Sequence, residues 1–146
     1  MKQTIAWIGE IDRSPEAFRR LTERYRLIWV VQDKIPADPS TIENPLPEVE
    51  VVSCAKEGCW EADIIVLAGE GFEDDLFGKI REVATQKIVM VITYDERKQE
   101  KLAQIQEALP FSKTVEVILH PDEMILSGEN PEAVDTARRI VQQLGY

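Results

Sequence analysis

The residues best suited to chemistry lie in one short stretch, Gly9-Glu10-Ile11-Asp12-Arg13-Ser14. It sits between an apolar run and a helix signal. Thr4-Ile5-Ala6-Trp7-Ile8 reads as a buried strand. Ser14-Pro15-Glu16-Ala17 opens a helix: serine is a good N-cap, proline suits the first helical position, and Glu16 favours the positive end of the dipole. Strand, turn and helix in that order is where dinucleotide-binding folds carry the turn G-x-G-x-x-G. The first glycine makes the bend, the second lets backbone approach a pyrophosphate, and the third allows close helix-strand packing. Here only Gly9 is a glycine. Ile11 stands where the pyrophosphate approaches. Asp12 or Ser14 can cap the helix and fill the anion position, while Arg13 can hold a phosphate.

Ligands of open α/β sheets bind outside the carboxyl ends of the strands. That rule adds Asp33 and Lys34 after the second strand, and Ala68 and Gly69 at the end of the fourth. Asp33, about 24 residues past Gly9, can hold a ribose hydroxyl and favour NAD, whereas Lys34 can meet the 2′-phosphate of NADP. The same edge collects Glu10, Asp12, Asp33, Glu70, Asp95 and Glu96. These carboxylates repel a diphosphate, and hard divalent cations take such oxygen ligands. The plainer reading is a set of solvated loop residues, and no metal site is assigned. A phosphoreceiver domain does not fit, since no acidic pair directly follows the first strand and no lysine ends the fifth. His120, the single histidine, reads as a turn residue rather than a general base or ligand. There is no nucleophile elbow and no Walker loop. No catalytic residue is assigned.

The elements that must position these residues alternate along the chain. A first helix from Pro15 shows Phe18, Leu21 and Tyr25 on one face. Leu27 to Val31 reads as a strand. Pro36, Pro39, Pro45 and Pro47 exclude a long helix in residues 32–48, which form a proline-rich loop. A strand from Val49 to Ser53, a helix from Ala55 to Ala62 and the very apolar strand Ile64 to Ala68 follow. Next come a helix from Phe72 to Thr85, a strand from Lys87 to Thr93 and a helix from Glu96 to Leu109. Strands at Thr114 to Leu119 and Glu123 to Leu126 precede the last helix, which opens at Asn130-Pro131-Glu132-Ala133 and turns Val134, Ala137, Ile140, Val141 and Leu144 inward. Apolar strands alternating with amphipathic helices imply a mostly parallel sheet covered on both faces. The expected fold is a single Rossmann-like, doubly wound α/β domain over residues 1–146.

With 146 residues, 44% hydrophobic and 30% charged, the chain is long enough for a full core. No apolar run approaches the roughly 20 residues of a membrane span, and the start shows no signal-peptide pattern, so a cytoplasmic location is expected. The net charge of −10 makes nucleic acid and anionic membranes poor partners. Cys54 and Cys59 read as reduced thiols in or near the core. Trp7, Trp29 and Trp60 read as packing residues.

The segment Cys54 to Ala68, with Glu61-Ala62-Asp63-Ile64-Ile65-Val66-Leu67-Ala68 at its end, resembles the fourth-strand region of NADP oxidoreductases that work with the deazaflavin coenzyme F-420. Ile80 to Val89 is similar to the helix and strand that follow in that family. Ile125 to Ala133 and the closing Gly145-Tyr146 are similar to its last elements. The resemblance implies a Rossmann domain that binds NADP and passes hydride to or from a redox partner. The chain departs from the family at the turn, at Gly69-Glu70-Gly71 after the fourth strand, and at Tyr94-Asp95-Glu96 after the fifth. The expectation is therefore a degenerate member of this family that binds no cofactor and no longer catalyses. It would act through self-association or a protein partner, with residues 32–48 as the contact surface. The alternative is an NAD(P)-binding oxidoreductase with an altered cofactor turn.

Overall fold

The computed structural model describes residues 3–9, 15–30, 49–52, 54–68, 76–93, 105–119 and 123–144. In chain order these form β1 (Gln3–Gly9), α1 (Pro15–Thr22), β2 (Tyr25–Val30), β3 (Glu50–Val52), α2 (Ala55–Glu61), β4 (Ile64–Ala68), α3 (Leu76–Ile80) and β5 (Ile88–Thr93). Helix α4 is described over residues 105–108. Strands β6 (Lys113–Leu119) and β7 (Met124–Gly128) and helix α5 (Pro131–Gln143) complete the described elements.

The described strands form one sheet in the order β3-β2-β1-β4-β5-β6-β7. All neighbours pair in parallel except β6 and β7. The link from Leu119 to Met124 explains that exception, because so short a connection cannot hold a crossover helix. Every residue of β4 is buried, as expected of a central parallel strand with both faces covered.

Two apolar layers flank the sheet. On one face Ile5, Trp7, Leu27, Ile64, Val66, Met90 and Val117 pack with Leu21 of α1 and Ala133, Ala137, Ile140 and Val141 of α5. On the other, Ala6, Ile8, Ile65, Leu67, Val89 and Val91 pack with Cys59 of α2, Leu76 and Ile80 of α3, and Ile105 and Leu109. The expected doubly wound α/β architecture is thus the observed one. Helix α5 starts as its sequence dictates: the Asn130 Oδ1 accepts from the Ala133 N–H at 3.0 Å, with Pro131 in the first turn.

Several local expectations are corrected. Tyr25 does not lie on α1; it begins β2, and the helix ends at Thr22, whose hydroxyl donates back to the Arg19 carbonyl. The helix expected through Thr85 is described only from Leu76 to Ile80 and gives way to turns over residues 81–86. Those turns end at Gln86, with φ of 65°. Val83 is nonetheless buried with Leu76 and Ile80, as its spacing predicts. Trp7 is buried and Trp29 packs against the core, but Trp60 is 71% exposed and belongs to neither core layer. Cys59 is buried as expected, whereas Cys54 is exposed; both are free thiols. The proline-rich segment 32–48 lies outside the described residues.

Candidate functional site

The strand order reverses between β1 and β4: the chain winds outward through β2 and β3 on one side, then through β4, β5 and β6 on the other. Helices pack on both faces of the sheet, and the carboxyl ends of two strands at such a reversal are where open α/β sheets take ligands. Gly9 closes β1 and Ala68 closes β4, and the two are register partners. The structure therefore brings together two of the nine sequence-assigned residues. Ile11, Asp12, Arg13, Ser14, Asp33, Lys34 and Gly69 lie outside the described residues, as do Glu10, Glu70, Asp95, Glu96 and His120.

Gly9 is required twice over. Its φ is +115°, a backbone conformation that side chains rarely adopt. A Cβ built on it would stand 2.0 Å from the carbonyl oxygen of Ala68. The end of β1 thus lies directly against the β4 backbone. This is the part that the first glycine of a dinucleotide turn plays. Helix α1 starts at Pro15, with five residues of chain between it and the end of β1. Free N–H groups and the positive dipole end make such a position favourable for an anion.

Sequence reasoning missed one contributor. The Trp29 indole N–H donates to the Gly9 carbonyl over 3.4 Å, a long bond that ties the turn to β2. Trp29 stands opposite Trp7 in the β1–β2 register. A tryptophan near a strand end signals packing, and only the pairing reveals which carbonyl its N–H can reach.

The opposite end of the sheet is fastened by polar contacts. The Asp63 carboxylate accepts from the Thr4 N–H at 2.9 Å, and the Asp63 N–H donates to the Thr4 carbonyl at 2.8 Å. The Lys87 ammonium caps the C-terminus of α2, donating to the carbonyls of Cys59 and Trp60. Burial pushes the Lys87 ammonium below its usual range and the Cys59 thiol up to about 12. A thiol held protonated in this way is inert. Glu116 on β6 is buried on the face of the sheet shared with Val89 and Val91, and burial raises its carboxyl. Among the described residues no group of three or more His, Cys, Asp or Glu is placed to hold a metal ion. No described helix is long and apolar enough to cross a membrane.

A doubly wound sheet with this strand order and a glycine at its switch point defines a Rossmann-type domain. Solved structures agree. The chain is similar to a variant imine reductase from Myxococcus stipitatus in complex with NAD+, with a TM-score of 0.68 and 14% identity over 99% of this chain and 53% of that one. It is similar to pyrroline carboxylate reductase from Plasmodium falciparum with NADP bound, with a TM-score of 0.63 and 14% identity over 98% of this chain and 55% of that one. A hypothetical protein from Sinorhizobium meliloti matches over 100% of this chain and 82% of its own, at 17% identity and a TM-score of 0.58. The chain spans about half the length of the two reductases. No family model matches the chain, and no curated protein is similar to it. The likeness shows the fold.

Proposed function

We propose that this chain is an NAD(P)-binding domain of an oxidoreductase whose cofactor turn has been altered. The observation that carries the reading is Gly9 at the switch point, held at a positive φ with its Cα against the Ala68 carbonyl. The resemblance to the F-420-linked NADP oxidoreductases and the likeness to reductases with NAD+ or NADP bound point to the same ligand class. The non-catalytic reading rests on the substituted glycines and on the carboxylates gathered at the ligand edge.

In this reading the backbone from Gly9 onward and the N-terminus of α1 hold the pyrophosphate, with Arg13 as the cation. Asp33 or Lys34 meets the adenosine ribose and decides between NAD and NADP. Ala68 and Gly69 border the nicotinamide side. A bound nicotinamide supplies hydride transfer. The chain's own residues bind and orient it, and no described side chain is assigned to proton transfer. Ile11 removes one backbone approach to the pyrophosphate, so affinity is expected to be lower than for an intact glycine turn.

Thermal unfolding with NAD, NADH, NADP and NADPH tests the proposal. A ligand at 100 times its dissociation constant stabilises the fold by about 2.7 kcal/mol, which is roughly 5–10 °C for a chain of this size. No shift with any of the four at millimolar concentration would overturn the reading.

A further inference from the structure

A lone glycine does not by itself hold a peptide still. Gly9 ends β1 at a φ of +115°, and glycine has more backbone freedom than any other residue. On the β4 side Gly9 pairs with Ala68, whose carbonyl oxygen would meet a Cβ at 2.0 Å. That close approach fixes where the Gly9 Cα sits. It leaves open the plane of the peptide that begins with the Gly9 carbonyl, because rotation about ψ turns this plane without moving the Cα.

Trp29 supplies the missing restraint. Its indole N–H donates to the Gly9 carbonyl at 3.4 Å. The ring is itself held: Trp29 stands opposite Trp7 in the strand register and packs, half-buried, against the apolar layer that contains Leu21 and Val141. A bulky ring set in a close-packed layer is a donor fixed in place. A planar trans peptide points its carbonyl and its N–H in opposite directions. With the Gly9 carbonyl turned to Trp29 on β2, the donor of the same peptide points away from that ring. β4 lies on the far side of β1 from β2, and the strand order reverses between β1 and β4. The donor is thus turned to the side on which an open α/β sheet takes its ligand.

We propose that Trp29 is a positioning residue of this site, whose indole N–H holds the Gly9 peptide in the orientation that receives a pyrophosphate. The inference rests on the NAD(P)-binding reading. A dinucleotide then meets a donor already aimed, and binding does not have to stop the rotation of a glycine peptide. The loss of one such restraint weakens binding about three- to tenfold.

Isothermal titration calorimetry with NAD and NADP on the wild type, Trp29→Phe and Val141→Ala tests this. Phenylalanine keeps a ring in the layer and removes the N–H. Trp29→Phe should bind the preferred dinucleotide about three- to tenfold more weakly than the wild type. Val141→Ala, on α5, takes methyl groups from the same layer and leaves the indole N–H in place. It should lower the melting point and leave the dissociation constant unchanged. On the wild type alone, the Trp29 indole hydrogen should exchange with deuterium more slowly than that of Trp60, which is 71% exposed. Equal exchange rates would overturn the proposal, because the bond to Gly9 would not be formed. Equal dinucleotide affinity in Trp29→Phe and the wild type would overturn it while the NAD(P) reading stands. A matching loss of affinity in Val141→Ala would overturn it too, since the loss would then follow a general loosening of the layer. A wild type that binds neither dinucleotide removes the reading beneath it, and the wild-type titration decides that separately.

Discussion

Replacing Gly9 by alanine attacks the one position where fold and proposed site coincide. The φ of +115° alone costs a residue with a side chain about 1–3 kcal/mol. The new Cβ would stand 2.0 Å from the Ala68 oxygen, and 3.1 Å and 3.3 Å from its carbonyl carbon and its nitrogen. These are backbone atoms in the middle of the sheet, so no side chain can swing away. Either the carboxyl ends of β1 and β4 part or the Gly9 peptide reorients. Parting them loosens the last Gly9–Ala68 rung and the Trp29 indole bond, each worth about 1 kcal/mol net. The sum is about 3–5 kcal/mol, a large share of the stability of an ordinary domain. At about 2–4 °C per kcal/mol, Gly9→Ala should melt roughly 6–20 °C below the wild type. Calorimetry beside Gly78→Ala separates geometry from composition. A Cβ at Gly78, inside α3, meets nothing within 4 Å, so alanine there should gain about 0.5–1 kcal/mol of helix propensity. A Gly9→Ala melting point within about 2 °C of the wild type would refute the close approach of β1 to β4.

Other perturbations probe the buried ionisable groups. Ellman's reagent should titrate Cys54 in the native protein and reach Cys59 only after unfolding; two fast-reacting native thiols would contradict the burial of Cys59. The folded-state pKa of Cys59 lies near 12, above its ordinary 9.0, so its contribution to stability is complete below about pH 9 and is lost as pH rises toward 12. Cys59→Ala should flatten that alkaline limb in a pH series of urea melts. Glu116 also has a raised pKa, so its contribution is present in acid and lost as pH rises through the folded value. Glu116→Gln should therefore raise the melting point near neutral pH and change it little in acid. An equal offset at both would mean that burial does not disfavour the charge.

The sequence is most legible where one physical signal dominates. The five residues of β4 are all apolar and all buried, since a central parallel strand has no polar face to show. The start of α5 is written in Asn130-Pro131, and the structure uses that cap. Phase errors arise where an element is short. Helix α2 has seven residues, and the run Cys59-Trp60-Glu61 does not reveal which side chain turns inward; Gly58 and Cys59 do. Gly58 is there because a Cβ would come within 2.8 Å of Val30 and 3.3 Å of Val52, so α2 lies close on β2 and β3. That contact leaves Trp60 outside. The break after Ile80 has no sequence mark either, because the left-handed residue that ends the turns is Gln86 rather than glycine. Of the candidate site, Gly9 and Ala68 are legible as strand ends. The Trp29 bond to Gly9 is not, since it depends on which strand lies beside β1.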